Sequence, residues 1–371
     1  MRALKMKHLF LFLLALMLIM IIDQSGILVH FNTKDYYKDF EYPMKGNIES
    51  YMEEMKRGQD PSVNPINDHD YMMIHQAKGK CTLDFDSNDD DQDKSIRIVY
   101  LVKSAMDHFK QREIIRKTWG FEKRFSDVPI RTVFLLGSSQ DPHDELMEKI
   151  KDEYDEFGDI VQGNFIDTYY NNTIKTMMGL RWSAELCPNS RFYAFFDDDY
   201  YVSTRNLLRF LRNPVHYPQY LQEDVVHFDT GRKLKQLIDF DLPEDVKLFA
   251  GYVFHSRPQR HKFSKWYLPI EEYPFHLFPP YVTAGGYILS KDALKDFYYA
   301  SYFVKRFRFD DIYLGLIAKK LDIEPFHCPE FHFYSKPVSA QGYRYVVASH
   351  GFSNPDLLDK TWNKQKEAGN A

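Results

Sequence analysis

Three consecutive aspartates, Asp197 to Asp199, directly follow the apolar run FYAFF and have the chemistry of a cation site. An aromatic-rich run of this length is typical of a buried strand in a parallel sheet. Carboxylates at the carboxyl end of such a strand lie where open α/β sheets bind ligands, and they repel one another unless a cation offsets their charge. The stretch therefore predicts a site for a hard divalent ion, Mg²⁺ or Mn²⁺.

A second triplet, Asp89 to Asp91, provides an internal comparison. It lies within the polar stretch DFDSNDDDQD, and no apolar run of strand length adjoins it. Blocks of like charge in such surroundings repel one another into solvent. We therefore predict a solvated acidic linker there and assign no metal to it.

A third acidic motif, Asp310 and Asp311, precedes the amphipathic pattern IYLGLIAKKL. Aspartate is among the best helix N-caps, and its charge suits the helix dipole. Because one aspartate is enough for the cap, the other is predicted to be free for chemistry.

A glycine pair, Gly285 and Gly286, interrupts the apolar strand pattern YVTAGGYILS. Glycines within a strand mark a bulge, a tight bend or a close approach of the backbone to another group. The pair is therefore a candidate for contact with a bound ligand, with a plain bend as the alternative.

An α/β fold with a mainly parallel sheet and helices on both faces is predicted to position these residues. Strand and helix patterns alternate along the chain, which is typical of such a fold. The segments are SIRIVYLVKS, QREIIRKTWG, RTVFLLG, DPHDELMEKIKDEYDEFG, DIVQG and NTIKTMMGLRWSAEL. The sequence has no GxGxxG or P-loop glycine pattern, which argues against a dinucleotide-binding fold or an NTPase.

The N-terminal residues indicate a membrane anchor. Basic residues precede an unbroken apolar run from Leu9 to Ile22, and the flank IIDQSG offers no good small-x-small cleavage site for the alternative, a signal peptide. We predict a cytoplasmic tail at 1–8, a signal-anchor span at 9–22, a polar stem at 23–93 and a lumenal domain at 94–371.

Cysteine count and charge set further limits. Cys81, Cys187 and Cys328 permit one disulfide in an oxidising lumen and leave one thiol over, which could join two chains in a homodimer. The sequon at Asn171 predicts a glycan on a surface turn. A formal charge of −5 without a basic stripe argues against nucleic acid as a partner.

Six segments resemble, in order and rough spacing, the motifs of the β-1,3-glycosyltransferases of the galactosyltransferase-31 type. They are QREIIRKTWG, DTYYNNTIKT, FFDDDYYVST, FPPYVTAGGYILS, FRFDDIYLG and VVASHGFSNPDLLDKTWN. The resemblance covers about residues 94–366. It implies a nucleotide-sugar-binding fold of GT-A type, a type II Golgi membrane anchor, a UDP-sugar donor, Mn²⁺ and inversion at the anomeric carbon.

The same resemblance implies roles for individual residues. Asp199 matches the metal-ligating position, and His350 matches the position proposed to complete the metal shell, although a lone histidine at a strand end is otherwise a surface residue. Asp197 and Asp198 would contact the donor, with Asp197 near the ribose. A divalent metal can stabilise the negative charge that develops on the departing diphosphate.

Two further pairs complete the predicted site. Inversion requires one base to take the proton of the acceptor hydroxyl, and Asp311 is the candidate, with Asp310 as the cap or as the alternative base. Arg112 and Arg116, spaced i and i+4 on one helical face, could hold the uracil or the phosphates of the donor. An ordinary solvated basic face is the other interpretation of the arginines.

Donor and acceptor follow only from the resemblance. HKFSKWYLPIEEYP and YVTAGGYILS resemble most closely the brainiac-type β-1,3-N-acetylglucosaminyltransferases, which implies UDP-GlcNAc as donor and a terminal β-mannose of a glycolipid as acceptor, with UDP-galactose as the alternative donor. Phe275, Leu277, Phe278 and Tyr281 could form an aromatic rim for a glycan on lipid or protein, or they could belong to the core.

Two other functional classes are compatible with the fold. A catalytically silent lumenal binding or chaperone-like protein would keep the site without turnover. A metal-dependent hydrolase would need a water-activating array of His and Asp, and the sequence shows no pattern of that kind.

Overall fold

The computed structural model describes residues 2–42, 48–82, 96–126, 128–141, 144–222 and 242–371. The chain divides into two compact units. Residues 1–46 and 254–280 form the N-terminal unit, and residues 47–253 and 281–371 form the sheet unit. Every residue predicted to bind the metal or the donor, or to act as the base, belongs to the sheet unit, whereas Phe275, Leu277 and Phe278 of the predicted acceptor rim belong to the N-terminal unit. The acidic triplet Asp89 to Asp91 lies outside the described residues.

The N-terminal unit begins with a long apolar helix, α1 (Arg2–Ser25). Its window His8–Ser25 has a mean hydropathy of 2.0, and none of that window is buried. A 3₁₀ helix (Ile27–Asn32) and α2 (Tyr36–Asp39) follow. One N-terminal helix of this length and composition is compatible with a type II signal-anchor.

The sheet unit contains the remaining elements. Its helices are α3 (Glu49–Lys56), α4 (Phe109–Lys117), α5 (Glu145–Phe157), α6 (Asn172–Leu186), α7 (Thr204–Arg212), α8 (Lys291–Ala300), α9 (Asp310–Lys320) and α10 (Pro355–Glu367). The strands are β1 (Met73–Gln76), β2 (Ile98–Lys103), β3 (Ile130–Ser138), β4 (Ile160–Ile166), β5 (Phe192–Asp197), β6 (Tyr200–Val202), β7 (Phe249–Phe254), β8 (Tyr281–Ser290), β9 (Phe326–His327), β10 (Phe331–His332) and β11 (Ala348–His350).

The main sheet has the strand order β1-β4-β3-β2-β5-β8-β7-β9. Strands β4, β3, β2 and β5 are parallel, β8 runs antiparallel to β5, and β1 runs antiparallel to β4. A smaller sheet has the order β10-β11-β6. The predicted α/β fold with a mainly parallel sheet is therefore confirmed.

The aromatic run in β5 reflects burial on both faces of the sheet. Phe195 stacks on Tyr287 with ring centroids 4.8 Å apart, whereas Phe196 faces the opposite side and lies 5.9 Å from Trp119. Successive side chains of a strand point to opposite faces, so a strand covered on both sides is apolar throughout.

Strand register brings the acidic motif together with distant parts of the chain. Lys103, the last residue of β2, is the Cα partner of Asp197 at the end of β5. A tight turn then leads into β6, where Tyr200 is the partner of His350 in β11. The three aspartates thus lie between Lys103 on one side and His350 on the other.

The structure places elements in the segment that was predicted to be a stem. Helix α3 and strand β1 belong to the sheet unit, β1 pairs with β4, and the indole nitrogen of Trp182 donates to the carbonyl of Gln76 at 2.6 Å. The edge strand MIHQ has only four residues, and their exposure does not alternate strictly. It therefore carries too little hydrophobic periodicity to be seen in the sequence.

The cysteines form one disulfide, between Cys81 and Cys187, with a Cα–Cα distance of 5.3 Å. It ties the turn after β1 to the end of α6. Cys328 is free and only 2% exposed, within the main hydrophobic cluster. Its thiol is therefore not placed to join two chains, as the dimer interpretation of the third cysteine would require.

The aromatic residues around FPPY are core residues and not an exposed rim. Phe275, Phe278 and Tyr281 are 3%, 7% and 8% exposed. In the N-terminal unit, the rings of Phe275 and Phe278 pack 5.4 and 4.9 Å from that of Tyr273. The predicted acceptor rim is therefore wrong for these side chains. The sequence could not show this, because buried and exposed aromatic residues have the same sequence pattern.

The disulfide is expected to contribute strongly to stability because it closes a loop across 106 positions of sequence. Replacing Cys81 by serine should lower the free energy of unfolding by about 2–5 kcal/mol, measured by urea denaturation. A reductant should destabilise the wild-type protein and leave the Cys81→Ser variant unchanged. Equal midpoints for wild type and variant under oxidising conditions would contradict this assignment.

Candidate active site

A buried lysine joins two of the predicted acidic motifs. The Nζ atom of Lys103 lies 3.0 Å from Asp197 Oδ1 and 3.0 Å from Asp310 Oδ2. Burial alone would lower the pKa of Lys103, but the two carboxylates more than offset this effect and raise the pKa. Lys103 therefore stays charged and holds the end of β5 to the start of α9.

Asp197 remains accessible beside this lysine. Its side chain is 39% exposed although one carboxylate oxygen is engaged by Lys103. Withdrawal of the rest of the side chain from water raises the pKa of Asp197 to about 6, Lys103 opposes the rise, and the charges of Asp199 and Asp310 add to it. Repulsion among these carboxylates is the feature that a bound cation would relieve.

The middle aspartate of the triplet points into the protein. Asp198 Oδ2 accepts hydrogen bonds from Ser104 Oγ at 2.6 Å and from His108 Nδ1 at 2.8 Å, and the residue is 6% exposed. The hydrogen bond to Asp198 raises the pKa of His108. Asp198 thus fixes the loop after β2 through its Oδ2 atom.

Asp199 and His350 form the part of the site that could hold a metal. Asp199 Oδ2 lies 3.0 Å from His350 Nε2, and the hydrogen bond to Asp199 raises the pKa of His350. The other oxygen, Asp199 Oδ1, is buried and has no hydrogen-bond partner among the described residues. A buried carboxylate oxygen without a partner is costly, and a cation would satisfy it.

The metal-ligand set is small. Within the part of the chain that the structure describes, no group of three or more His, Cys, Asp or Glu side chains is arranged for a metal ion. Mg²⁺ commonly uses one or two carboxylates and takes its remaining ligands from water and substrate phosphates. The pair Asp199 and His350 therefore fits a metal that is completed by a phosphorylated ligand, and does not fit a closed structural site.

The two aspartates at the start of α9 have different surroundings. Asp310 Oδ2 accepts from Lys103 Nζ at 3.0 Å and from Thr176 Oγ1 at 3.1 Å. Asp311 Oδ1 accepts from the backbone N–H of Ile312, at 2.8 Å. Burial, and then the charge of Asp310, raise the pKa of Asp311 to about 7. The geometry therefore assigns anchoring to Asp310 and leaves Asp311 as the carboxylate suited to proton transfer near neutral pH.

The glycine pair makes room for the aromatic side chains of Tyr200 and Phe196. A Cβ atom at Gly285 would lie 2.5 Å from the hydroxyl oxygen of Tyr200, and one at Gly286 would lie 3.0 Å from the ring of Phe196. Strands β5 and β8 pair without a register shift from Ser290 as far as Gly286. The close approach is made by Tyr200, whose ring also lies 5.4 Å from that of His350.

Arg112 is completely buried and is saturated by protein acceptors. Its Nε donates to Glu153, its Nη1 donates to Ser104 Oγ and to the carbonyl of Ala105, and its Nη2 donates to the carbonyl of Met106 and to Glu153. A guanidinium has five N–H groups, and these contacts account for all of them. A contact with a donor would therefore have to break one of these bonds.

Arg116 belongs to the same buried cluster. It makes a bidentate contact with Asp159, with both distances 2.8 Å, and its Nη1 lies 2.8 Å from Glu153. Its guanidinium lies 4.1 Å from the ring centroid of Phe157. It lines a cavity of about 690 Å³ between α4 and α5, to which none of the aspartates at the end of β5 contributes.

Four polar residues of the site were not found from the sequence: Lys103, Ser104, His108 and Lys175. Lys175 is buried and bridges the carbonyl of Ser104, at 2.7 Å, and the carboxylate of Asp167, also at 2.7 Å. Lys103 had a visible signal, because it ends a strand whose other residues are all apolar. Its partners could be identified only from the register of β2 with β5.

The predicted glycan site lies at the start of α6. Asn171 Nδ2 donates to the carbonyl of Ile166 at 2.8 Å, and Thr173 of the sequon is buried and donates to the carbonyl of Phe307 at 2.8 Å. One amide hydrogen of Asn171 remains after a sugar is attached, so the hydrogen bond and a glycan are compatible. Glycosylation at Asn171 stays a prediction.

Loss of the Lys103 ammonium should leave two carboxylates unpaired. Replacing Lys103 by methionine should lower the free energy of unfolding by about 3 kcal/mol, because removing one partner of a buried ion pair leaves the charge of the other uncompensated. Adding Asp310→Asn should restore part of this loss, measured as a double-mutant cycle by urea denaturation. The control is Lys117→Met, an exposed lysine on α4 that should change stability by less than about 0.5 kcal/mol. Additive losses at Lys103 and Asp310 would contradict the pairing.

Solved structures with a similar chain path are distant. A glycosyltransferase involved in the glycosylation of the major capsid of PBCV-1 aligns with a TM-score of 0.33 at 8% identity, covering 72% of this chain and 99% of that one. The galactosyltransferase LgtC aligns with a TM-score of 0.33 at 10% identity, covering 72% of this chain and 95% of that one. At these scores nothing about the site follows from the alignment.

Comparison with curated sequences gives much stronger similarity. The chain is 38% identical over 360 residues to a Drosophila melanogaster protein named beta-1,3-galactosyltransferase brn, covering 97% of this chain and 96% of the relative. It is 32% identical over 302 residues to mouse beta-1,3-galactosyltransferase 1, covering 81% of this chain and 80% of the relative. It is also 32% identical over 302 residues to a pig UDP-GalNAc:beta-1,3-N-acetylgalactosaminyltransferase 1, covering 80% of this chain and 82% of the relative.

A family model supports the same relationship. The galactosyltransferase model matches residues 110–225 and 220–329, which include the aspartates at the end of β5 and at the start of α9. The resemblance predicted from the sequence motifs is therefore confirmed. The chain belongs to the galactosyltransferase family of β-1,3-glycosyltransferases and is a hexosyltransferase.

Proposed function

We propose that this hexosyltransferase is metal-dependent and inverting, and that it moves N-acetylglucosamine from UDP-GlcNAc in β-1,3 linkage to a terminal sugar of a glycan. The observation that carries the proposal is the division of the site into two parts. Asp199 and His350 form a pair suited to a cation, and Asp311 is a carboxyl group with a pKa raised to about 7. A donor diphosphate and an acceptor hydroxyl need these two different environments.

The cation is proposed to be Mn²⁺, held by Asp199 and His350. The buried, unpartnered oxygen of Asp199 supports this assignment, as does the preference of hard divalent ions for oxygen ligands. When bound, the metal would supply positive charge to the diphosphate leaving group. Asp197, which is 39% exposed, is proposed to contact the donor beside the metal pair.

Asp311 is proposed to take the proton of the acceptor hydroxyl. A base works best when its pKa lies near the working pH, and the raised pKa of Asp311 meets that condition. Lys103 and Thr176 hold the neighbouring Asp310, so the charge that raises the pKa of Asp311 has a fixed position. These residues therefore position the base without contacting the acceptor.

The enzyme is proposed to work in the Golgi lumen as a single-pass type II membrane protein. The apolar helix α1 would supply the anchor, and the basic N-terminal residues would stay in the cytoplasm. A disulfide between Cys81 and Cys187 suits an oxidising compartment. Anchoring would bring the site to glycans on membrane lipids or proteins, and a β-mannose of a glycolipid is the proposed acceptor.

The donor assignment has one specific competitor. The resemblance of two segments to the brainiac-type enzymes supports UDP-GlcNAc. The printed names of the Drosophila and mouse relatives instead favour UDP-galactose.

The deciding experiment incubates the purified full chain in detergent with Mn²⁺, each labelled UDP-sugar and a mannose-ended glycolipid. Incorporation from UDP-GlcNAc is expected, incorporation only from UDP-galactose would overturn the donor, and no transfer or hydrolysis from any donor would support a silent binding protein.

Replacing Asp199 by asparagine tests the metal assignment. The change removes a charged ligand while preserving shape, so Mn²⁺-dependent binding of UDP should weaken by about 10-fold or more, measured by calorimetry. Asp90→Asn, in the comparison triplet, should leave this affinity unchanged. Equal effects at the two positions would remove the distinction between the triplets.

Replacing Asp311 by asparagine tests the base. Turnover should fall by about 10²-fold or more while the affinity for UDP and Mn²⁺ is kept, since a general base acts only on the chemical step. In the wild-type enzyme, turnover should fall as the pH drops through about 7, because protonation of Asp311 removes the base. An inactive Asp310→Asn variant that folds normally, together with an active Asp311→Asn variant, would reverse the two roles.

A further inference from the structure

A short loop in the N-terminal unit presents two aromatic side chains to the surroundings. Gln259 and Tyr267 pair as a bridge, and Leu268 N donates to the carbonyl of Gln259 at 2.8 Å, which closes the loop. The tip between them has the sequence HKFSKW, residues 261–266, and is called here the aromatic loop. Phe263 is 79% exposed and Trp266 is 50% exposed.

The aromatic loop is attached to the end of helix α1. Lys262 N donates to the carbonyl of Gln24 at 3.1 Å, and Lys262 Nζ lies 2.6 Å from Asp23 Oδ2. The backbone of Arg260, just before the tip, also packs against the end of α1, since a Cβ atom at Gly26 would clash with the carbonyl oxygen of Arg260. The loop therefore has a fixed place at the last turn of α1.

The buried side chain of Arg260 stabilises the base of the aromatic loop. It is 3% exposed, and its guanidinium donates to the carbonyls of Leu268 at 2.7 Å and Tyr273 at 2.6 Å. These bonds tie both sides of the aromatic loop to the rest of the unit. Phe263 and Trp266 are consequently exposed on a braced loop.

The length of α1 fixes the depth of the loop relative to a bilayer. The apolar window His8–Ser25 has 18 residues, which at 1.5 Å per residue span about 27 Å, close to the roughly 30 Å of a hydrocarbon core. Asp23 and Gln24 then lie at the membrane boundary. Residues bonded to them must lie at the same boundary.

The composition of the tip matches that boundary. Tryptophan is enriched at the membrane interface, and lysine side chains can extend from an apolar surface to the headgroups. The aromatic loop combines Phe263 and Trp266 with Lys262 and Lys265, and the ammonium of Lys265 lies 4.4 Å from the Trp266 ring.

We propose that the aromatic loop is a second membrane contact, in which Phe263 and Trp266 insert into the interface of the leaflet where α1 ends. The occupant of this surface is the lipid of that leaflet. The proposal rests on the proposed anchoring by α1 and does not depend on the donor, the metal or the reaction.

Tryptophan fluorescence of the full chain tests the insertion. The protein has four tryptophans, and Trp119, Trp182 and Trp362 are at most 2% exposed, so Trp266 is the one that lipid can reach. The chain is reconstituted into phosphatidylcholine nanodiscs with or without lipid brominated near the top of the acyl chain. Loss of Trp266 emission in the brominated discs is expected, and Trp266→Phe should abolish that loss.

A second variant places the probe elsewhere on the same loop. Phe263→Trp in the Trp266→Phe background should restore quenching by brominated lipid. Discs that hold the protein but show no quenching of either tryptophan would overturn the proposal. A full chain that does not float with phosphatidylcholine vesicles would overturn both the anchor and the loop contact. Sugar transfer measured separately in detergent would still test the proposed reaction.

Discussion

The arrangement of the site depends on one buried ammonium group. Lys103 stands 3.0 Å from carboxylates of Asp197 and Asp310, which come from the end of β5 and the start of α9. Without that charge, two carboxylates at the edge of a buried sheet would repel each other and be driven into solvent. With it, three distant parts of the sequence share one ion network, and the adjacent positions Asp199 and Asp311 are presented in fixed directions.

In each acidic motif, one carboxylate is bonded to other side chains and the adjacent carboxylate is less completely bonded. In the triplet, Asp198 is engaged by Ser104 and His108, whereas Asp199 keeps an oxygen that has no partner in the described part of the chain. In the pair, the side chain of Lys103 holds Asp310, whereas a backbone N–H bonds to Asp311. Asp198 and Asp310 fix the backbone. Their neighbours, Asp199 and Asp311, can then remain incompletely hydrogen-bonded, as binding and proton transfer require.

The sequence predicted the parts of this site that have local causes. The apolar run before Asp197 indicated a buried strand, and Asp310 with Asp311 indicated a helix start with a spare carboxylate. It could not reveal that Lys103 pairs with both motifs, because strand register is a long-range property. The i, i+4 spacing of Arg112 and Arg116 identified a shared helical face, but whether that face meets solvent, ligand or Glu153 depends on the position of α5. Gly285 likewise indicated a close contact whose partner, Tyr200, belongs to another strand.

The buried cluster of Arg112, Arg116, Glu153 and Asp159 has a consequence for how mutagenesis of such an enzyme is interpreted. Arg112 braces the loop that carries Ser104, and Ser104 in turn holds Asp198. If an alanine scan found these arginines essential, a donor-binding role would not be the only explanation, because their hydrogen bonds hold protein groups in place. A misplaced Ser104 loop would remove a hydrogen bond from Asp198, the neighbour of Asp199, and could lower turnover without any contact between arginine and donor. Only a variant series that records folding beside turnover can tell a scaffold arginine from one that touches substrate.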